Sequence, residues 1–175
     1  MRIIAGEWGG RTIRAPRGTT VRPTTDRIRE AWMSALGPRI EEARIVDLFA
    51  GSGALGLEAL SRGAQEVVFV ERDRGALDAL EGNVASLGAG DRSRIVRDDV
   101  FRFLARVGET PYDLALADPP YGKGYAARLF ELAAAQPFAR ELWVEHRSGE
   151  PLPAIRELRD RRYGDTTLTI WEIPE

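Results

Sequence analysis

The sequence predicts an α/β fold: a mostly parallel sheet covered by helices on both faces, finished by an antiparallel hairpin at its C-terminal end. Three observations predict it. Apolar runs of strand length alternate with helical patterns from about residue 44 onward. The first run ends in the glycine-rich stretch DLFAGSGALG, and the fourth stops at DPPY. In such a sheet ligands lie outside the carboxyl ends of the strands, which is where both stretches would sit.

The elements follow in order. RIIAG, EWGG and RTIRAP read as a short hairpin turning at Gly9-Gly10, and the loop RGTTVRPTTD comes next. From Thr25 or Asp26 a polar cap leads into Ile28, Ala31, Trp32, Ala35 and Leu36 at helical spacing, and Gly37-Pro38 ends that helix. These pieces form an N-terminal extension, residues 1–40, ahead of a main domain, residues 41–175. RIVDLFA is then a strand, ALGLEALSRG a short helix and EVVFVE a second strand. DRGALDALEGNVASLG is a helix with Leu77, Leu80, Val84 and Leu87 on one face. SRIVRDD is a third strand, VFRFLARV a helical turn or two, and YDLALAD a fourth strand. The helix YAARLFELAAA and the strand RELWVEH follow. IRELRDRRY, the turn GDTT and LTIWEI complete the chain as a hairpin, with one strand running against the rest.

Composition narrows the chemistry. The chain has 175 residues, 43% hydrophobic and 30% charged, which suits one folded domain of ordinary size. No apolar run approaches the roughly 18 to 20 residues of a membrane span, and MRIIAGEWGG lacks a signal-peptide core, so a cytoplasmic protein is expected. Cysteine is absent and His146 is the single histidine, which excludes thiolate chemistry and cysteine-ligated zinc; no metal site is expected. The net charge of -2 hides an asymmetry: residues 1–30 hold seven arginines against three acids. That end can face phosphates, or it can be an ordinary solvated surface in an arginine-rich chain.

Gly51, Gly53 and Gly56 satisfy G-x-G-x-x-G at a strand-to-helix turn, where backbone can approach a ligand closely. Glu71, about 20 residues on at the end of the second strand, can accept from both hydroxyls of a ribose. Together they promise an adenosine-containing ligand, and a nicotinamide dinucleotide fits this much equally well. After the third strand Asp99 can meet an adenine amino group while Val100 packs on the ring; capping the next helix is the competing reading. In Asp118-Pro119-Pro120-Tyr121 the prolines lack amide hydrogens and end the strand rigidly. The Asp118 carboxylate and the Pro119 carbonyl can then accept both hydrogens of a planar amine, with Tyr121 stacked on the base that bears it. A base amine is a poor nucleophile because its lone pair is delocalised; holding both hydrogens turns that pair toward an electrophile. A sulfonium methyl needs such in-line attack and no metal, cysteine or histidine. His146 reads as an ordinary strand-end residue, Trp8 as packing across the hairpin, and Trp32, Trp143 and Trp171 as core.

On these residues the chain resembles the class I methyltransferases that use S-adenosylmethionine. DPPY resembles their motif for exocyclic base amines. RIIAGEWGGRTIRAP, RPTTDRIREAW and DLFAGSGALGLEALSRGA resemble the bacterial family that methylates a guanine N2 in 16S ribosomal RNA, over about residues 2–173. The resemblance implies a Rossmann-like sheet of seven strands. It implies a donor lying across Asp47, Phe49, Ala50, Gly51, Ser52 and Gly53, with its ribose at Glu71 and Arg72 and its adenine near Asp99 and Val100. Thr24, Thr25, Asp26 and Arg27 resemble a lid beside the methionine end of the donor, with helix capping as the alternative. Arg11, Arg14, Arg17, Arg22 and Lys123 would hold phosphates of the small ribosomal subunit, with the enzyme acting as a monomer. Three other functions fit parts of the pattern. A DNA adenine or cytosine amino methyltransferase shares the site, but roughly 40 residues ahead of the first strand leave little room for a sequence-reading domain. A donor-binding assembly protein without turnover, or a nicotinamide dehydrogenase, would have no use for DPPY.

Overall fold

The computed structural model describes residues 1–18, 23–109 and 112–174, without the side chains of residues 23–25. The first helix, α1, spans Pro23–Leu36 and continues into a 3₁₀ turn, Gly37–Ile40. Then come β1 (Arg44–Leu48), α2 (Ala54–Ser61), β2 (Glu66–Glu71) and α3 (Arg74–Leu87). They are followed by β3 (Ser93–Arg97), α4 (Val100–Leu104), β4 (Tyr112–Ala117) and α5 (Tyr125–Ala135). Strands β5 (Ala139–Arg147), β6 (Arg159–Tyr163) and β7 (Thr166–Glu172) end the chain.

The seven strands form one sheet in the order β3-β2-β1-β4-β5-β7-β6. β1 through β5 are parallel, and β7 alone runs against them, pairing with both β5 and β6. Leu48 of β1 pairs with Val70 of β2 on one side and Ala117 of β4 on the other. This register brings Phe49, Glu71 and Asp118 to one edge. Because strand side chains alternate, Ile45, Val67, Phe69 and Trp143 pack on one face, and Val46, Leu48, Val68, Val70 and Val144 on the other. Both faces are covered, which is why the parallel strands read as nearly unbroken apolar runs.

The N-terminal segment shares the first of these cores, through Ile3, Trp8, Ile13, Trp32, Met33 and Leu36. The expected hairpin is present but short: one bridge, Arg2 to Thr12, with the Ile3 amide donating to the Arg11 carbonyl at 2.9 Å and the Gly10 amide to the Ile3 carbonyl at 2.8 Å, and no longer ladder among the described residues. The reason lies in α2. The amides of Ile4 and Ala5 donate to the Glu58 carboxylate at 2.9 and 3.1 Å, and those of Glu7 and Trp8 donate to the carbonyl and hydroxyl of Ser61. Amides committed to a helix cannot extend a ladder. Gly6 sits so close that an added Cβ would lie 1.9 Å from the Ser61 carbonyl oxygen. Glu58 is 0% exposed, but Arg62 at 3.0 Å and Arg29 at 3.8 Å neutralise it, so its burial is tolerated. Helix α1 begins earlier than Thr25, at Pro23, whose fixed φ suits a first helical position.

Candidate active site

The glycine loop is shaped by close packing. After β1, Phe49 takes a left-handed conformation, φ 57°, unusual for a bulky residue and found where a site requires it. The Ala50 amide donates to the Val70 carbonyl and the Gly51 amide to Glu71 Oε2 at 2.8 Å, so the loop is tied to the end of β2. Gly53 has φ 87°, and a Cβ there would lie 2.5 Å from Leu80. At Gly56 a Cβ would meet Phe69 at 2.4 Å, so the third glycine of the motif lets α2 press on the sheet. Asp47 is buried and accepts from the Gly56 amide at 3.0 Å. Burial, with the charges of Asp118 and Glu71 nearby, holds its carboxyl well above the usual carboxylate range against the pull of that bond.

A cleft of about 780 Å³ opens along this edge, lined by Phe49, Glu71, Arg72, Asp99, Val100, Asp118, Tyr121, Lys123 and Glu145 among others. A second cavity of about 270 Å³ shares Phe49, Asp118 and Glu145 with it and adds Arg29, Trp32, Asp47 and Ala50–Ser52. Glu71 spends three of its lone-pair sites on the amides of Gly51, Arg72 and Asp73, each at 2.8 Å. Asp99 caps α4, its Oδ1 accepting from Phe101 and Arg102, while its Oδ2 meets Arg72 at 3.4 Å. The capping reading is thus realised, and the residue still lines the cleft. Phe49 stacks on Tyr125 at 5.5 Å and meets Phe101 edge-on, forming an aromatic wall. Asp26 pairs with Arg29, a side chain 2% exposed, at 3.3 Å.

At the end of β4, Asp118, Pro119, Pro120 and Tyr121 line the same cleft, and Gly122 and Gly124 both take positive φ as the chain turns into α5. Asp118 presents its surface to the open cleft while protein surrounds it on the other sides. That crowding, followed by the charge of Glu145, raises its carboxyl to about 8. Tyr121 is 37% exposed, but its hydroxyl is anchored, 3.1 Å from Glu145 Oε1 and 3.2 Å from Thr166 Oγ1. The Arg147 guanidinium lies 5.6 Å from its ring centroid. Glu145 is raised by burial, with the Tyr121 bond and the Trp32 indole opposing. Trp32 Nε1 is buried and has no hydrogen-bond geometry to any described residue, so its effect on Glu145 is that of a nearby dipole.

Of the residues expected to meet phosphates, only Lys123 lines the cleft among the described residues. Arg11 donates to the Ser86 carbonyl at 2.6 Å, near the end of α3. Since α3 starts at Arg74 beside the cleft, Arg11 is bonded about 18 Å down that helix. Arg14 is exposed, and its backbone exchanges two bonds with Asn83 of the same helix; Arg17 is exposed as well. Arg22 and the side chain of Thr25 lie outside what is described. His146, turned to the sheet face opposite Glu145, is buried with Nε2 2.6 Å from Thr169 Oγ1. Sequence reasoning missed Glu145, Tyr125, Arg29 and Trp32 as cleft residues. The one available signal was that Glu145 ends the apolar run LWV much as Asp118 ends LALA.

A family model described as Conserved hypothetical protein 95 matches residues 1–172. The chain is 39% identical over 158 residues to Ribosomal RNA small subunit methyltransferase D of Escherichia coli K12, covering 89% of this chain and 79% of that protein. Among solved structures it is similar to a hypothetical protein of Thermus thermophilus, with a TM-score of 0.83 and 34% identity over 99% of each chain. The METTL16 methyltransferase domain, only 14% identical, shares the fold at a TM-score of 0.74 over 94% of this chain and 74% of that one. The sheet is therefore that of the class I methyltransferases.

Proposed function

We propose, from the premise that this chain belongs to the Conserved hypothetical protein 95 family, that it methylates the exocyclic N2 of one guanine in the RNA of an assembled or assembling small ribosomal subunit. The chain is an rRNA methyltransferase that uses S-adenosylmethionine. The observation that carries the finer reading is the Asp118–Tyr121 corner opening into a cleft of matching charge.

Six carboxylates line that cleft: Glu71, Asp73, Asp98, Asp99, Asp118 and Glu145, against Arg72 and Lys123. This balance suits a cationic sulfonium and repels the pyrophosphate of a nicotinamide dinucleotide. The smaller cavity supports the fit. The Trp32 indole N–H lines it, buried without a hydrogen-bond partner among the described residues, a donor for the carboxylate of a methionine moiety. Bound there, S-adenosylmethionine supplies a methyl group on a positively charged sulfur.

The chain's own residues do the rest. A guanine leaves its stack and rests on the Tyr121 ring, which is fixed by its two hydroxyl contacts and covered on one side by Arg147. Asp118 and the Pro119 carbonyl accept both amine hydrogens and aim the nitrogen lone pair along the methyl–sulfur axis. The prolines offer no competing donors and keep those acceptors in place. After the carbon–nitrogen bond forms, the surplus amine proton leaves through the Asp118 carboxylate to water in the open cleft. Phe49, Glu71, Asp99 and Val100 hold the adenosine end, with Asp47 bracing the loop of Ala50–Gly53 from below. Lys123 meets phosphate, and the enzyme works in the cytoplasm as a monomer.

The test is labelled methyl transfer to small-subunit particles, followed by mass spectrometry of the nucleosides. The expected product is 2-methylguanosine at one position, abolished in Asp118→Ala. Label in adenine, in cytosine or in duplex DNA would overturn the assignment, as would transfer indifferent to Asp118. Equal methylation of protein-free RNA would remove the particle from it.

A further inference from the structure

Strands β4 and β5 pair in parallel with Ala117 opposite Val144, so the next residues, Asp118 and Glu145, face each other across one strand spacing, about 4.8 Å. Both turn to the same face of the sheet, and both line the cleft and the adjoining cavity. Glu145 Oε1 is engaged by the Tyr121 hydroxyl at 3.1 Å, and the residue lines the open cleft. The mechanism above uses one carboxylate, and the site holds two.

We propose that Glu145 is the specificity-determining residue for the target base, its carboxylate accepting the ring N1–H of guanine while Asp118 holds the neighbouring amine. This inference rests on the reading of the site as a guanine N2 methyltransferase. A carboxylate only accepts hydrogen bonds, so it asks for a donor beside the amine. Guanine has one: N1–H is adjacent to the exocyclic amine. Adenine beside N6 and cytosine beside N4 present a ring nitrogen lone pair at that position, which would face the Glu145 charge. The second carboxylate therefore selects for guanine and against the other two amine-bearing bases. It also accounts for the crowding of two acids at one corner, because their mutual repulsion is relieved when a base edge brings donors to both. Tyr121, by bonding Oε1, sets the orientation of Glu145 and links the stacking platform to the edge reader.

The test compares particles carrying guanosine with particles reconstituted to carry 2-aminopurine at the methylated position. 2-Aminopurine keeps the amine and replaces N1–H by a lone pair. The wild type should prefer guanosine by about 100-fold in kcat/KM. In Glu145→Gln the amide can turn its NH₂ toward the lone pair and its oxygen toward N1–H, so the preference should fall to within about threefold. Glu145→Asp, which keeps the carboxylate, should retain most of it. Donor affinity by calorimetry should change far less than this preference in both variants. Comparing ratios between enzymes cancels the different nucleophilicity of the two bases. The same preference in the wild type and Glu145→Gln, or equal loss in Glu145→Asp and Glu145→Gln, would overturn the inference alone. A wild type that forms no 2-methylguanosine would overturn the parent reading along with it.

Discussion

The two halves of the carboxyl edge are built differently. Around β1–β3 the polar groups are already satisfied: Glu71 holds three backbone amides, Asp99 caps α4, and Asp47 is bonded to Gly56. Around β4–β7 they are not. Asp118 and Glu145 sit together with raised carboxyl groups, and the Tyr121 hydroxyl bonds Glu145 alone of the two. The first half is a finished scaffold into which a donor settles; the second holds acceptors that a substrate edge completes. Preorganised acceptors aimed at a reacting group are costly without it and strong with it, which is how a site favours its transition state.

This contrast can be broken at several points. The largest effect is expected for Asp118→Ala, which should lower methyl transfer about 1000-fold while weakening donor affinity by calorimetry no more than about tenfold. A parallel loss of donor binding would show that the halves are not separate. Gly53→Ala should act on the scaffold instead. The positive φ and a methyl 2.5 Å from Leu80 should destabilise the fold by about 2–4 kcal/mol in denaturant unfolding. An unchanged midpoint would mean that the loop is looser than its packing.

The third is a pH profile. Asp118 works as a carboxylate, and in the free enzyme its group titrates near 8, so kcat/KM should rise about tenfold per pH unit below that value and level off above it. The cationic donor stabilises the carboxylate, so the midpoint in kcat should lie lower. A profile flat between about pH 6 and 9 would remove Asp118 from that role. The stability sign is opposite. A carboxyl raised in the folded state favours folding most below the unfolded value near 4, and that contribution is lost as pH climbs through about 8. The smallest effects concern the basic residues. Lys123→Ala, at the cleft, should raise KM for particles about three- to tenfold with a weaker salt dependence. Arg11→Ala, bonded to Ser86 away from the cleft, should change it less than about twofold. A reversal would move the RNA face to the α3 side.

Much of this was legible in the chain. Strand–helix alternation, the tight turns at Gly51, Gly53 and Gly56, and the proline stop after Ala117 all follow from local spacing and backbone chemistry, which neighbouring residues decide among themselves. So did the acids Glu71, Asp99 and Asp118, since each ends a strand whose carboxyl end is a predictable place for a ligand. How short the N-terminal hairpin would stay was not legible, because its amides found acceptors in Glu58 and Ser61, more than fifty residues on. The bond from Arg11 to Ser86 on α3, likewise, joins residues 75 apart that no local pattern relates. Above all, the pairing of Asp118 with Glu145 required the β4–β5 register, which joins residues 27 apart that no sequence period relates. Periodicity reports which face a side chain takes within its own element; only the packing of elements decides which side chains from distant elements share that face, and there the second carboxylate was found.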